Sequence, residues 1–490
     1  MVDGIWTSAT AVHVLSTGDG LARFDEAFVD PAQRALLRDI TFEVVLPEIS
    51  IKRLKKVQSN AEAAANDAAF TRAISDFLGR LARWEARDGA SLSLTITAES
   101  PTHKKRQELV ENGMLNNSHN SFGPPIWDIR NMDRMLRFEA STPPQLPEVP
   151  CITKLCCGGF HCPRVMHPSV QVAISNACVA VNVVEWDLYL PGRRTMPARV
   201  RERSALAQAL QEAKLASATE LILTLNDDDP MNEAFELESL LHHPDDFDRL
   251  SLGLRHIAQL PMLRKLELRS TWILSPVAFG PHPDLADVHC PSLEEIVIEV
   301  SMCTPDGRYL MTGDPEDAPE DDGYYESGEE PPPAAFDSDA SDTSDWGPEF
   351  AWDKEEGIVP AVMFRTTPDD ETFVPLWESF ARAARCSMPK LRNMTISFGG
   401  GTRSCNAPSE AQYCTAGQSA TYFDQFPGCA GFSREHAQEP RWYFTSTEDF
   451  DKSWRPPRGL RDELEGPDKD GRKGHIYWLI NQSRIEIKQL

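Results

Sequence analysis

The sequence predicts an α/β fold, an irregular leucine-rich-repeat-like array in which strands and helices alternate. The main observation is a short cassette, Pro-x-aliphatic-x-x-aliphatic-x-aliphatic, that recurs with the same internal spacing in distant parts of the chain. In a leucine-rich repeat this core lies on the strand of each unit, where alternate side chains enter a shared core. The copies with proline are Pro150/Ile152/Leu155/Cys157, Pro261/Leu263/Leu266/Leu268, Pro291/Leu293/Ile296/Ile298 and Pro389/Leu391/Met394/Ile396, and those without it are Leu37/Ile40/Phe42 and Ala218/Leu221/Leu223.

Two further periodic patterns indicate that strands and helices alternate. Leu92, Leu94 and Ile96 are interleaved with polar residues, which is typical of a strand with one buried face. Two segments instead carry their apolar residues at helical spacing. These are Phe70, Ile74, Phe77, Leu78, Leu81 and Trp84 in the first, and Leu206, Ala209, Leu210 and Ala213 in the second.

A third helix is predicted to begin within Thr367-Pro368-Asp369-Asp370-Glu371. A capping hydroxyl, a proline in the first turn and acids at the positive end of the helix dipole favour a helix start there. This helix is expected to bury Phe373, Leu376, Trp377 and Phe380 and to lead into the cassette at Pro389.

The order of helix, proline and strand is expected of crossover connections in a parallel sheet. A leucine-rich solenoid and another layered α/β fold would both produce it. The intervals between cassettes run from about thirty to nearly a hundred residues, whereas a standard repeat has roughly 20–29. The asparagine that normally follows the strand occurs once, as Asn226. An irregular array is therefore expected.

Composition divides the chain into four segments. Residues 1–32 are predicted to be partly disordered, 33–310 to form the leucine-rich-like α/β region, and 354–490 to continue it through the C-terminal segment. Residues 311–353 are predicted to be an acidic, disordered insertion, because Asp, Glu, Pro, Gly and Ser dominate there and cannot bury enough apolar surface. Between Arg308 and Lys354 there are fifteen acidic residues and no basic one.

Charge and cysteine content restrict the partners and the compartment. The net charge of -26 argues against binding to nucleic acid or to an anionic membrane, which requires clustered Lys and Arg. The 11 cysteines lack the regular spacing of a secreted disulfide framework. A soluble intracellular protein, cytoplasmic or nuclear, with an unknown protein partner is expected.

No local motif carries a recognisable chemistry, so no catalytic, cofactor or metal-binding residue is predicted. Cys156, Cys157, His161, Cys162 and His167 are of zinc-ligand types, but adjacent cysteines rarely both reach one tetrahedral ion and no second half-site follows. Cys157 also occupies an aliphatic slot of a cassette, where a thiol packs as a small hydrophobe.

Three other segments are interpreted as structural. The run from Gly399 to Thr402 lacks the lysine and spacing of a phosphate loop and is expected to be a turn. His242-His243 lacks the pattern of a metalloprotease and is expected at a helix end. The carboxylates of Asp227, Asp228 and Asp229 are expected to form a strand-exit turn.

The order of several short motifs resembles a family of uncharacterised fungal proteins in which an F-box precedes a long leucine-rich-like region. The resemblance covers most of the chain outside the acidic insertion and implies a protein-interaction role. The matching segments are residues 33–40, 46–48, 70–74, 81–84, 92–94, 99–101, 291–293, 304–309, 364–366, 375–376, 380–383, 388–391 and 454–456.

The F-box itself is expected to be absent from this chain. About thirty residues precede Gln33 and they contain no Leu-Pro-x-Glu-Ile/Leu motif, while the similar residues 46–49 are expected to close a strand. The chain is therefore expected not to bind the adaptor of a cullin ligase.

Two functional hypotheses follow from the sequence. The first is a protein-interaction scaffold, such as the substrate-recognition region of an F-box-type protein without its F-box. The alternative is an enzyme or small-molecule binder with a pocket at strand ends. A shallow continuous face favours the first hypothesis, and a deep pocket with converging Asp, His or Arg side chains favours the second.

Overall fold

A computed structural model of the chain contains two compact units. The first comprises Met1–Leu190, Ala205–Asn226 and Leu260–Glu267, and the second comprises Pro191–Ser204, Asp227–Gln259 and Leu268–Leu490. The structure describes residues 8, 10–50, 58–86, 91–105, 134–139, 144–158, 164–227, 229–243, 247–282, 284–318, 355–358, 362–399, 408–420, 434–446, 454–481 and 485–489.

The first unit contains a parallel sheet whose strands pair in the order in which they occur in the chain. Its strands are β1 (Ala11–Leu15), β2 (Asp39–Val45), β3 (Ser93–Glu99), β4 (Lys154–Cys157), β5 (Val183–Tyr189), β6 (Glu220–Asn226) and the first three residues of β7 (Lys265–Trp272). Its helices are α1 (Gly18–Ala27), α2 (Pro31–Leu36), α3 (Asn60–Leu81), α4 (Pro168–Ala177) and the C-terminal part of α5 (Met196–Glu212).

The second unit mixes parallel and antiparallel pairs. It holds the rest of α5 and β7, then α6 (Arg249–Ala258), β8 (Glu295–Val300), β9 (Met311–Thr312), β10 (Thr367–Pro368), α7 (Phe373–Arg382), β11 (Asn393–Phe398), β12 (Glu410–Cys414), β13 (Arg441–Ser446), α8 (Arg458–Leu464), β14 (His475–Asn481) and β15 (Ile485–Gln489). Strands β8 and β11 are parallel, as are β13 and β14. The pairs β11/β12, β12/β13, β14/β15 and β9/β10 are antiparallel.

The cassette prediction is confirmed, because each copy leads into a strand and its aliphatic residues are at most 3% exposed. In each copy with proline, the strand begins four residues after the proline. The proline has a local role in a turn: the Leu263 amide donates to the Leu260 carbonyl at 3.3 Å, and the Leu391 amide donates to the Met388 carbonyl at 3.1 Å. Proline is favoured at the second position of such a turn.

The same turn precedes β5 without any proline. The Val181 amide donates to the Cys178 carbonyl at 3.0 Å, and Val181, Val184 and Trp186 are buried at cassette spacing. The cassette pattern does not detect this copy, because it contains neither proline nor leucine.

A repeated hydrogen bond fixes where the strands of the first unit begin. The carbonyl that precedes one strand accepts two amides from the start of the next. The acceptors Leu92, Thr153, Asn182 and Thr219 each receive such a pair, at distances between 2.8 and 3.2 Å. Neighbouring strands therefore start in a common register.

The predicted helical segments are also confirmed. Helix α3 begins with a capping box in which the Ser59 hydroxyl accepts the Glu62 amide and the Glu62 carboxylate accepts the Ser59 amide. The apolar stripe of α3 is buried, and so is the stripe that includes Leu206 and Leu210 in α5.

The predicted helix start at residues 367–371 is wrong. Thr367 and Pro368 form β10, which pairs with β9, and α7 begins at Phe373. The Asp369 carboxylate accepts the amides of Glu371 and Thr372 in a turn before the helix. Because Thr367 and Pro368 pair with the distant strand β9, the helix begins later than its local capping residues predict. The predicted buried residues of α7 are at most 1% exposed.

The structure describes parts of the N-terminal segment and of the acidic insertion that are predicted from composition. The N-terminal segment, residues 1–32, contains β1, α1 and the first two residues of α2, which continues to Leu36. Met311 and Thr312, the first residues of the predicted insertion, form β9. Residues 319–353 of that insertion lie outside the described residues.

Candidate functional site

One face of the parallel sheet in the first unit is covered by helices. Phe42, Ile96, Cys157 and Trp186 are partners in register along one row from β2 to β5, so their side chains lie on the same face. The ring of Phe42 stacks on Phe77 of α3 with centroids 4.0 Å apart. The Trp186 indole donates to the Ser175 hydroxyl of α4 at 2.9 Å. Both helices therefore pack on this face.

The opposite face of β1–β5 carries polar residues, most of them half-buried. Its central row, in register, is His13, Thr41, Thr95, Cys156 and Glu185. We call this surface the open face. It comprises Ala11, His13, Leu15, Asp39, Thr41, Glu43, Val45, Ser93, Thr95, Thr97, Glu99, Lys154, Cys156, Val183, Glu185, Asp187 and Tyr189.

Ion pairs connect side chains on the open face with one another and with Lys104, which follows β3 in the chain. The Glu43 carboxylate contacts Lys104 Nζ at 2.6 Å and His13 Nε2 at 3.1 Å. Lys154 Nζ lies 2.7 Å from the carboxylate of Glu185. These pairs hold long side chains in place along the sheet.

The charges and hydrogen bonds around Glu43 shift the pKa of two carboxyl groups, Glu43 and Glu99. Burial alone would raise the pKa of Glu43, but the hydrogen bonds from His13 and Lys104 outweigh it, so its pKa is lowered. Glu99 contacts Lys104 only at 3.8 Å. Burial raises the pKa of Glu99, the lysine offsets part of that effect, and the nearby charge of Glu43 raises it further.

We expect Glu43 to stabilise the fold in a pH-dependent manner. Because its pKa is lower in the folded state than its ordinary value of 4.5, the carboxylate stabilises the fold above that pH. This stabilisation is lost as the pH falls through the lowered pKa. Glu43→Gln should therefore destabilise the protein at pH 7 and have progressively less effect below pH 4.5.

Urea unfolding of both proteins between pH 7 and pH 3 measures this difference. Glu48→Gln is the matched control, because Glu48 is exposed. A Glu43→Gln effect that is the same at every pH would contradict the assignment.

A cavity of about 510 Å³ lies in the second unit. Part of its wall comes from segments that follow strands in the chain: five residues between 193 and 199 after β5, Ile273 after β7, and Cys303 and Thr304 after β8. The rest of the lining consists of Phe235, Glu236, Leu237, Glu238, Leu240 and Glu355. Segments after the carboxyl ends of parallel strands are the usual position of ligand sites in α/β sheets.

Carboxylates compensate the three arginines that line the cavity. Arg199 Nη2 lies 2.5 Å from the Asp227 carboxylate, and both side chains are almost fully buried. Burial alone would lower the pKa of the Arg193 guanidinium, but nearby carboxylates, chiefly Asp227 and Asp229, raise it. Arg194 Nε lies 3.8 Å from the Glu356 carboxylate.

Glu356 also fixes the backbone at the cavity wall. Its carboxylate accepts the amides of Arg193 at 2.5 Å and Arg194 at 3.3 Å, at the start of the 3-10 turn Arg193–Thr195. A Cβ on Gly192 would lie 2.1 Å from this carboxylate. A side chain at position 192 would therefore require the Glu356 carboxylate to move away from the backbone.

Asp229 joins two strand-exit segments of the second unit. Its carboxylate accepts the Ser301 hydroxyl and, at 3.0 Å, the Met302 amide. Burial raises the pKa of Asp229, although these two hydrogen bonds and Arg193 lower it in part. The role of Asp229 in the described structure is thus to anchor the chain after β8.

The described candidate metal ligands, Cys156, Cys157 and His167, do not converge. Cys156 and Cys157 lie on opposite faces of β4, and burial raises the pKa of the Cys156 thiol to about 11. His167 caps α4, where its Nδ1 accepts the Ser169 amide at 3.2 Å. His161 and Cys162 lie outside the described residues. No group of three or more His, Cys, Asp or Glu side chains in the described part of the chain is arranged to hold a metal ion.

The structure describes parts of the three other segments that are interpreted as structural. The expectation of a helix end at His242-His243 is wrong, because both residues lie in a bend with no helix adjacent among the described residues. The exposed His242 contacts the Ser204 hydroxyl at 2.9 Å. Gly399 packs against Asp229, while residues 400–402 lie outside the described residues. Of the three strand-exit acids, Asp227 and Asp229 do follow β6, while Asp228 lies outside the described residues. The partners of Asp227 and Asp229 are arginines and a serine far away in the sequence. No local spacing could have revealed that network.

Comparisons with known proteins give no further guide. No family model matches the sequence, and no curated protein matches it. Among the described residues, no helix combines the length and apolar character needed to cross a membrane.

Proposed function

We propose that the protein is a protein-interaction scaffold that binds its partner on the open face. The observation that carries this proposal is the difference between the two faces of β1–β5. Helices α3 and α4 pack on one face, while the other presents half-buried polar side chains across five neighbouring strands. A broad surface of half-buried, mostly polar side chains suits contact with another protein better than chemistry at a single atom.

We further propose that this unit is leucine-rich-repeat-like. Its strands pair in chain order, and helices occur in most of the connections. Right-handed crossovers between successive strands would place these helices on one face. The repeated strand-entry hydrogen bond and the cassette turn support the same proposal, and solenoids commonly bind partners on the surface formed by their strands.

The resemblance to F-box-associated proteins suggests a specific role for this scaffold. In that role the open face would recognise the substrate protein of a cullin-type ligase. The support is the order of the matching motifs, which extends from residue 33 to residue 456.

Two lysine substitutions on the open face test the proposal. Thr95→Lys/Glu185→Lys should remove the specific partners that the wild-type chain captures in its native cell, because both positions lie in the central row. The fold should be retained, since the Lys154–Glu185 pair is half-exposed and such pairs contribute about 0–1 kcal/mol. Quantitative affinity purification with equal amounts of folded protein measures the loss.

Glu26→Lys is the control, because Glu26 is exposed on α1 rather than on the open face. We expect this variant to retain the wild-type partners. Identical partner sets for the open-face variant and the wild-type protein would refute the open face as the binding surface.

The cavity of the second unit supports a second candidate function, binding of a small ligand at strand ends. Arginines and carboxylates converge there, as the alternative hypothesis from the sequence requires. Among the described residues they mainly bond to one another, so their arrangement favours binding over catalysis.

A further inference from the structure

The floor of the cavity is a small apolar cluster. Met196, Leu240, Ile273 and Cys303 are buried together, and the partly buried Val200, Leu237 and Tyr309 pack against them. The four buried residues Met196, Leu240, Ile273 and Cys303 also line the cavity. A ligand that fills the cavity must therefore bring apolar surface to this floor.

The rim of the cavity is acidic. Glu236, Glu238 and Glu355 line it, all three are exposed, and none forms an ion pair with another described residue. The arginines of the wall differ in this respect, since Asp227, Asp229 and Glu356 lie close to them. Six carboxyl groups and three guanidinium groups therefore lie in or next to the cavity lining, and the excess charge is negative.

An aromatic ring also lines the cavity. Phe235 lines the cavity, and its carbonyl accepts the Tyr309 hydroxyl at 3.0 Å. The ring packs so closely on Gly357 that a Cβ there would lie 2.8 Å from it, and Gly357 has a φ of +76° that favours glycine. The ring therefore packs directly on the backbone of Gly357. Aromatic faces attract ammonium and guanidinium groups.

We propose that this cavity binds an organic cation on an apolar stem, with the stem against the floor around Ile273 and the cationic group among Glu236, Glu238 and Glu355. The cation is an alkylammonium or alkylguanidinium group. It belongs either to a free small molecule or to a lysine or arginine side chain of a bound protein. The residues of this site belong to the second unit, whereas those of the open face belong to the first.

The first experiment measures binding of matched probes to the full chain by ligand-observed NMR and calorimetry. Butylguanidine is the cationic probe, butylurea is its neutral isostere, and pentanoate is the anionic probe. We expect butylguanidine to bind and butylurea to bind about tenfold more weakly or not at all, since one charge-assisted hydrogen bond is worth at least that factor. Pentanoate should not bind.

The second experiment uses rim and floor variants. Glu236→Gln/Glu238→Gln/Glu355→Gln should weaken butylguanidine binding about tenfold or more, because it removes the uncompensated charge while changing only exposed residues. The control with the same change in net charge is Glu26→Gln/Glu48→Gln/Glu435→Gln, whose positions are exposed and outside the cavity. Leu237→Trp should block binding by filling the space above the floor, and an unchanged melting temperature verifies that it folds.

A pair of peptides distinguishes the two sources of the cation. Acetyl-Leu-Arg-Leu-amide is compared with the same peptide carrying citrulline. Tighter binding of the arginine peptide than of butylguanidine assigns the site to a protein side chain, whereas equal or weaker binding assigns it to a free small molecule.

Three results would overturn the proposal: no binding of butylguanidine, equal binding of butylurea or pentanoate, or equal losses in the rim variant and its charge-matched control. The open-face variant Thr95→Lys/Glu185→Lys should retain butylguanidine binding. Failure of the scaffold function and failure of the cation site are therefore distinguishable.

Discussion

Replacing Asp248 by alanine is expected to lower the free energy of unfolding by about 3–5 kcal/mol, the usual cost of removing one partner of a buried ion pair. Arg203 of α5 and Asp248 form such a pair at 2.9 Å, with side chains only 3% exposed on each side. Arg203 also donates to the Ile273 carbonyl at 2.8 Å. Without Asp248, the guanidinium charge would remain buried without a counter-ion.

Asp248 has a second role, since its carboxylate caps α6 by accepting the amides of Leu250 and Ser251. Asp248→Asn separates the two roles, because asparagine is as good a cap but carries no charge. We expect this variant to retain most of the destabilisation. The double variant Arg203→Met/Asp248→Leu should recover stability relative to Asp248→Ala, because no buried charge remains.

Urea unfolding followed by tryptophan fluorescence measures these effects. Asp462→Ala is the exposed control: Asp462 pairs with Arg458 at 4.0 Å, both side chains are more than 70% exposed, and such a pair contributes about 0.3–0.5 kcal/mol. Equal destabilisation by Asp248→Ala and Asp462→Ala would contradict the proposed cost of the buried charge.

Truncation of a buried cassette residue is also expected to lower the free energy of unfolding strongly. Leu266→Ala and Ile296→Ala should each cost about 2–5 kcal/mol, as for other large-to-small changes in a core. Both side chains are fully buried at 0% exposure. The expected loss combines the transfer free energy of the removed methyl groups with the cost of the cavity that they leave.

Val297→Ala is the matched control on β8. Val297 follows Ile296 directly, but its side chain lies on the opposite face of the strand and is half-buried. We expect it to cost clearly less than Ile296→Ala in the same urea titration. A larger loss at Val297 would mean that the cassette does not mark the buried face.

The strands could be predicted from sequence because burial on one face imposes a period of two that local inspection detects. The cassette extended this signal to the turn before each strand, where Pro261 and Pro389 adopt the same position. The copy before β5 shows the limit of that signal. There Cys178 and Val181 form the same turn with other residues, since the turn requires a backbone geometry that proline favours but does not supply alone.

The candidate sites could be predicted only in part, because their contacts join residues that are distant in the chain. Asp227 was correctly placed after a strand, but its partner Arg199 lies on a helix before that strand. Glu356 follows the acidic insertion and binds the backbone of Arg193, more than 160 residues earlier. Sequence spacing carries no information on such pairs.

The pairing of strands in chain order has a consequence for how this sequence tolerates insertions. Strands β8 and β11 are direct neighbours in register, with Glu295 opposite Asn393, although nearly a hundred residues separate them. The entropy of closing a loop grows only with the logarithm of its length, so extending a connection from about thirty to about a hundred residues costs only about 1 kcal/mol. A single buried cassette residue outweighs that amount. Long additions between strands could therefore accumulate without loss of the sheet, which accounts for the uneven intervals between cassettes.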